Sequence, residues 1–208
     1  MLHFLIYFIR LFLSFLRNVR GIIYRPYETL RRVASEGKVE ESLFLFALCL
    51  FYFLFASLIR TGVQNPYFLT FNLNRLSIAS ALSFLFSSGI IYWTGTALGG
   101  KSSFGKVSLV WSYTLIPTLF WFFTTSIFYI LLPPPRTISI PGQIFSLLFI
   151  AFSAALFFWK GVLYFLTVRF TFRFDLIRIT LVSLVFIPAE FLLSFLLYKL
   201  NIFRIPFI

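Results

Sequence analysis

Between residues 43 and 200 the sequence is built from five long apolar runs, and these constrain the fold more than anything else in the chain. They cover about 43–59, 76–98, 107–132, 143–168 and 179–200. Each is close to the ~20 residues a helix needs to cross bilayer hydrocarbon. Apart from Lys199 at the edge of the last run, only Lys160 and Glu190 carry charge within them. Hydrophobic residues make up 60% of the 208 and charged residues 12%. A single domain of this length has no interior large enough to bury that excess, so the bilayer is the expected solvent. The predicted fold class is all-α: a polytopic transmembrane bundle of five spans over 43–208.

Two segments precede the spans. Residues 1–20, MLHFLIYFIRLFLSFLRNVR, place His3, Arg10, Ser14 and Arg17 on one narrow helical face, with leucine, isoleucine and phenylalanine over the rest. This predicts an interfacial amphipathic helix whose arginines meet anionic headgroups. A spanning helix is the alternative that Arg10 disfavours. The segment has neither the basic leader nor the small-residue cleavage site of a signal peptide. Residues 21–42 are a connector with one short helix. Pro26 is placed to start it, Glu28 to favour its first turn, and Gly37 to end it. A solvated connector is preferred there to a docking surface.

The breakers between runs are Gly62, Asn65 and Pro66, then the glycine-rich turn at 99–100, then PPPR at 133–136, then RFTFRFDLIR at 169–178. Inside the runs, Pro117 and Pro188 predict kinks. Gly95 and Gly99 stand at GxxxG spacing, a pattern that lets helices approach closely in lipid. Packing within the molecule is preferred to homodimerisation. Basic residues orient the bundle. Twelve lie before the first run or in the second-to-third and fourth-to-fifth connections, against five (Arg60, Arg75, Arg136, Lys199 and Arg204) on the other side. The predicted topology has the N-terminus cytoplasmic and the C-terminus outside.

Several chemistries are excluded. The net charge is +12, but the basic residues punctuate apolar runs instead of forming a nucleic-acid footprint. A single histidine, His3, rules out a His-based zinc set and a Ser-His-Asp triad. A single cysteine, Cys49, rules out an intrachain disulfide. Residues Gly95 to Ser102, GTALGGKS, match the phosphate-loop pattern GxxxxGK[ST]. That loop needs a buried strand before it and further strand–helix units after it. Here a long apolar run precedes it and another follows. The segment therefore reads as a hairpin between two spans, with Gly95, Gly99 and Gly100 for turning and packing and Lys101 for topology. Nucleotide binding is not expected.

GGKSSF at 99–104, followed by a helix containing Tyr113 and Pro117, resembles the Yip-one domain family. YRPYETLRRVA at 24–34 is similar to that family's proline-containing segment ahead of the first span, in its prokaryotic-like branch. The resemblance covers about 20–200. It implies five spans, an N-cytoplasmic and C-outside topology, and a membrane-trafficking or membrane-shaping role among eukaryotic members. It carries over no catalytic residues.

Lys160 and Glu190 fall at depths differing by ~5 Å on adjacent spans, at ~1.5 Å per residue. An isolated charge there costs at least ~2.5–3.5 kcal/mol, so a mutual clamp is expected, with a proton or ion pathway at Glu190 as the alternative. The reading of the whole is a non-enzymatic integral membrane protein of the Yip-one type, without cofactor or metal. It would be an accessory or organising subunit of a membrane complex, or would act on membrane shape. Its expected partners are the bilayer, including anionic lipids, and a membrane protein or a second copy. The expected location is a prokaryotic cytoplasmic membrane. A small transporter or channel using Lys160 and Glu190 is the runner-up, and a membrane enzyme stands third for want of clustered carboxylates or histidine.

Overall fold

The structure, a computed structural model, describes residues 2–61, 66–131 and 140–202. Among these, every regular element is helical: α1 Leu2–Tyr24, α2 Pro26–Glu36, a short 3₁₀ turn at Val39–Glu41, α3 Ser42–Thr61, α4 Pro66–Ala97, α5 Phe104–Ser112, α6 Leu115–Leu131, α7 Ile140–Phe172 and α8 Leu176–Lys199. Five stretches among the described residues are long and apolar enough to cross a membrane: Val39–Ile59, Pro66–Ala97, Phe104–Phe128, Gly142–Phe172 and Leu176–Lys199. The protein is an all-helical, five-span membrane protein. Large side chains such as Leu147, Phe158, Leu184 and Leu192 are exposed. In water such a surface would aggregate, whereas in hydrocarbon it is the natural exterior.

The helices extend the sequence-derived runs where a proline or cap allows. α4 starts at Pro66, ten residues before the expected start at 76. Proline suits the first helical position, where its missing N–H removes no bond. The connection expected over 169–178 shrinks to three residues between α7 and α8. Asp175 caps α8 by accepting from the Arg178 amide at 3.4 Å. The expected stop at PPPR lies outside the described residues.

The third run is two helices. In an unbroken helix the Pro117 ring would press on the carbonyl four residues earlier, that of Tyr113, and would donate nothing to it. The chain breaks there: the Tyr113 carbonyl instead accepts from the Ile116 amide at 3.3 Å, and Thr114 donates amide and hydroxyl to the Trp111 carbonyl. Pro117 thus occupies the third position of α6, and the break falls at Tyr113–Thr114. Pro188 lies within α8, which runs through it without interruption.

Two apolar cores form. Leu30 and Val33 of α2 join Phe15 and Ile22 of α1, Leu109 and Tyr113 next to the break, and Leu163 of α7. The second core joins Ile91 of α4, Trp111 of α5, Phe172 of α7 and Phe186 of α8. The segment read as a solvated connector therefore packs against the bundle, with Thr29, Leu30, Val33 and Ala34 buried. The hydroxyls of Ser77, Ser83, Ser87 and Thr167 donate to the carbonyl four residues earlier in their own helix. No donor of these four is left bare in the hydrocarbon.

Candidate functional site

The hairpin at 95–102 carries the phosphate-loop pattern GTALGGKS. Gly99 adopts φ +84 and ends α4, a left-handed conformation that glycine reaches without cost. The Gly100 amide donates to the Gly95 carbonyl at 2.9 Å, and the Gly99 amide to the Thr96 carbonyl at 3.0 Å. This paired arrangement is a helix-terminating Schellman motif. It occupies the backbone amides that a phosphate loop would turn toward its ligand. Gly95 sits in a helix and not after a strand, and Lys101 is exposed. A Cβ on Gly95 would overlap the Phe172 ring, and one on Gly100 would overlap Phe172 and Phe174. Gly95 and Gly100, not Gly95 and Gly99, are thus the pair that admits a neighbour. The neighbour is the aromatic end of α7.

A buried polar cluster lies where the N-terminal helices meet the break in the third span. Glu41 is 3% exposed. Its Oε1 accepts from the Ser14 hydroxyl at 2.8 Å. Its Oε2 accepts from Asn18 Nδ2 at 2.8 Å and from the Tyr113 hydroxyl at 2.6 Å. Arg32 donates to Asn18 Oδ1 at 2.9 Å, which turns the amide so that its nitrogen faces the carboxylate. All three partners of Glu41 donate, the surrounding a carboxylate accepts best. The cluster ties α1, α2, the 3₁₀ turn and the α5–α6 break to one another. Leu11, Phe15, Asn18 and Ile22 form the inward stripe of α1. Ser14, expected on the same outward face as Arg10 and Arg17, turns in to Glu41, while both arginines stay exposed.

The elements at this end carry the basic residues that sequence reasoning grouped on one side. Tyr27 of α2 packs edge-on against Phe170 of α7, and Tyr92 of α4 against Phe104 of α5. Lys38 lies over the Tyr7 ring, Arg169 over Phe165 and Arg178 over Phe174. The N-terminal segment, the α4–α5 turn and the α7–α8 turn thus share one end of the bundle.

A cavity of about 530 Å³ opens between α3, α4, α6, α7 and α8. Lys160 and Glu190 both line it and interact electrostatically. Lys160 Nζ donates to Thr118 Oγ1 at 3.2 Å. Glu190 is buried beside Ser87, whose proton is engaged with the Ser83 carbonyl, and its Oε1 accepts no hydrogen bond. Trp111 and Tyr164 wall the cavity around Phe186, which stacks on Tyr164 at 4.7 Å and meets Trp111 edge-on at 5.4 Å. Ser77, Ser80, Ser83 and Ser87 of α4 face the same space. Sequence reasoning named Lys160 and Glu190 and did not single out the serines. It missed Glu41 altogether, because a glutamate ahead of an apolar run has the look of a solvated flank. The signal that could have found it is the stripe of Leu11, Phe15, Asn18 and Ile22, where a polar residue interrupts an apolar face.

Among the described residues no cluster of histidine, cysteine and carboxylates is arranged to hold a metal. A model of the Yip1 domain matches residues 20–198. No curated protein matches the chain, and no solved structure does.

Proposed function

The chain belongs to the Yip1 domain family, and from that membership we propose a non-enzymatic organising subunit, acting on a membrane complex or on the shape of the bilayer. The Glu41 cluster is the observation that carries this reading. It locks a basic, apolar-faced helix to the spans by buried hydrogen bonds. Leu5, Ile9, Leu13 and Leu16 of α1 remain exposed beside Arg10 and Arg17. A rigidly held helix of this kind inserts its apolar side into one leaflet and sets its arginines against anionic headgroups. Held to the bundle, it transmits to the bilayer or to a neighbouring span whatever geometry the bundle has. The grouping of basic elements at one end supports a cytoplasmic N-terminus and an outside C-terminus.

The test is purification of the full chain in mild detergent from its native membrane, alongside reconstitution into anionic and neutral liposomes. A stoichiometric membrane-protein partner, or vesicle deformation that depends on anionic lipid, supports the reading. Neither of these, combined with ion or solute flux abolished by Glu190→Gln, replaces it with the second reading. That second reading is a small transporter or channel, and the polar cavity around Lys160 and Glu190 is what favours it.

A further inference from the structure

The cavity wall is mainly aromatic and aliphatic, with Phe46, Phe53, Phe84 and Trp111 around its few polar groups. Its mouth faces the lipid side, since the lining residues Phe157, Ile187 and Phe191 are exposed on the outside of the bundle. A ligand therefore enters from the bilayer and carries apolar surface with it. Inside, the polar groups are asymmetric. Glu190 is 7% exposed, and its Oε1 has no donor. A buried acceptor without a partner in this medium is costly, and a ligand with N–H or O–H groups relieves it. Lys160 supplies the opposite charge in the same space.

The serines of α4 give the site a direction. Ser77 to Ser87 cover about 15 Å of helix at 1.5 Å per residue. They run from the level of Glu190 toward the start of α4, the end away from the basic elements. There the cavity adjoins a mainly apolar groove between α4 and α8, lined by Phe71, Ile78, Leu82 and Leu196 together with Asn74 and Arg75, and sharing Ser83, Leu193 and Leu197 with it. A polar track on the inner side of α4 thus runs beside an apolar track on its outer side. That pairing matches an amphiphile with a charged head and an acyl chain.

We propose that the cavity is a binding site for a phospholipid with a primary ammonium head, of the phosphoethanolamine class. The ammonium donates to Glu190 Oε1 and to serine oxygens of α4, whose own protons are held by their helix, the phosphate faces Lys160, and an acyl chain lies in the α4–α8 groove. A choline head brings positive charge but no N–H, and so leaves Oε1 unsatisfied. The expected discrimination is about tenfold, the scale of one buried acceptor left without its donor. This site is separate from the Glu41 cluster and does not depend on the organising role.

The experiment is native mass spectrometry of the full chain in detergent, titrated with dioleoyl phosphatidylethanolamine or dioleoyl phosphatidylcholine. One ethanolamine lipid is expected to be retained about tenfold more tightly than the choline lipid, with the preference lost in Glu190→Leu, which has no acceptor. Equal retention of the two lipids by the unsubstituted chain overturns the proposal, as does a preference that survives Glu190→Leu. If Glu190→Leu does not fold, Ala81→Phe decides. Ala81 lines the cavity and is exposed at its lipid-facing side. Loss of the adduct with unchanged thermal stability supports the site, and its persistence overturns it.

Discussion

Replacing Glu41 by alanine and by glutamine separates a carboxylate that holds the N-terminal helix from one that merely happens to be buried. Alanine removes the acceptor of three hydrogen bonds of 2.6–2.8 Å. It leaves the Asn18 amide donating only to the Tyr113 hydroxyl, at 3.3 Å, and the proton of that hydroxyl without an acceptor. A buried group that loses its partner costs about 1–3 kcal/mol. Glu41→Ala strips partners from more than one such group, so its cost is about 3 kcal/mol. Glutamine fits the same space differently. Its oxygen takes the place of Oε2 and accepts from Asn18 and Tyr113, while its amide nitrogen donates to Ser14, whose hydroxyl turns to accept. Only the strengthening by charge is lost, about 1 kcal/mol. At roughly 2–4 °C per kcal/mol for a chain of this size, Glu41→Ala should lower the melting temperature by about 10 °C and Glu41→Gln by about 3 °C. Cys49 is the chain's one cysteine and is partly buried in α3, so a thiol-reactive fluorophore reads unfolding at a single place. Tyr113→Phe should cost about 1–2 kcal/mol alone and close to nothing on top of Glu41→Ala. The reasoning is refuted if Glu41→Ala and Glu41→Gln melt together, or if Tyr113→Phe costs the same in both backgrounds.

Gly95→Ala should destabilise by about 1–3 kcal/mol because its new Cβ meets Phe172, and Gly99→Ala by about 1–2 kcal/mol because of its left-handed backbone. Gly89→Ala and Gly161→Ala, with nothing within 4 Å of the added atom, should be neutral or stabilising by about 0.5–1 kcal/mol in the same melt. Lys160→Met combined with Glu190→Gln should lower stability less than either change alone, because the pair leaves no unmatched charge in the hydrocarbon; additive losses would mean that the two do not compensate each other. With Cys49 replaced by alanine, Ser102→Cys should be protected from an impermeant thiol reagent in intact cells and Thr137→Cys labelled, and the reverse pattern would invert the topology.

Much of the architecture is legible in the residues because lipid removes the alternatives. Without water to satisfy backbone groups, an apolar run of about twenty residues has little choice but helix. Local sterics then fix several boundaries. Pro66 starts α4, Pro117 forces the break at Tyr113, and Gly99 supplies the left-handed turn that makes GTALGGKS a helix end and not a phosphate loop. The charges at Lys160 and Glu190 stand out for the same reason, since almost nothing around them is polar.

What only the tertiary structure decided depends on separation along the chain. Glu41 meets Tyr113 across 72 positions, and Asn18 meets Tyr113 across 95. No periodicity or spacing encodes such a meeting, because it requires α1, α2 and the broken third span to be folded against one another first. The partner of Gly95 is likewise Phe172, from a different span, and not the glycine four residues on. The serines of α4 became a polar track only when α8 brought Glu190 to their level. The sequence by itself determined which segments are apolar enough to enter the membrane and where prolines and glycines interrupt a helix, because those are contests between a residue and its solvent or its own backbone. The fold decided which polar groups share a buried space, because hydrogen bonds in hydrocarbon are set by the side chains that packing brings within about 3 Å.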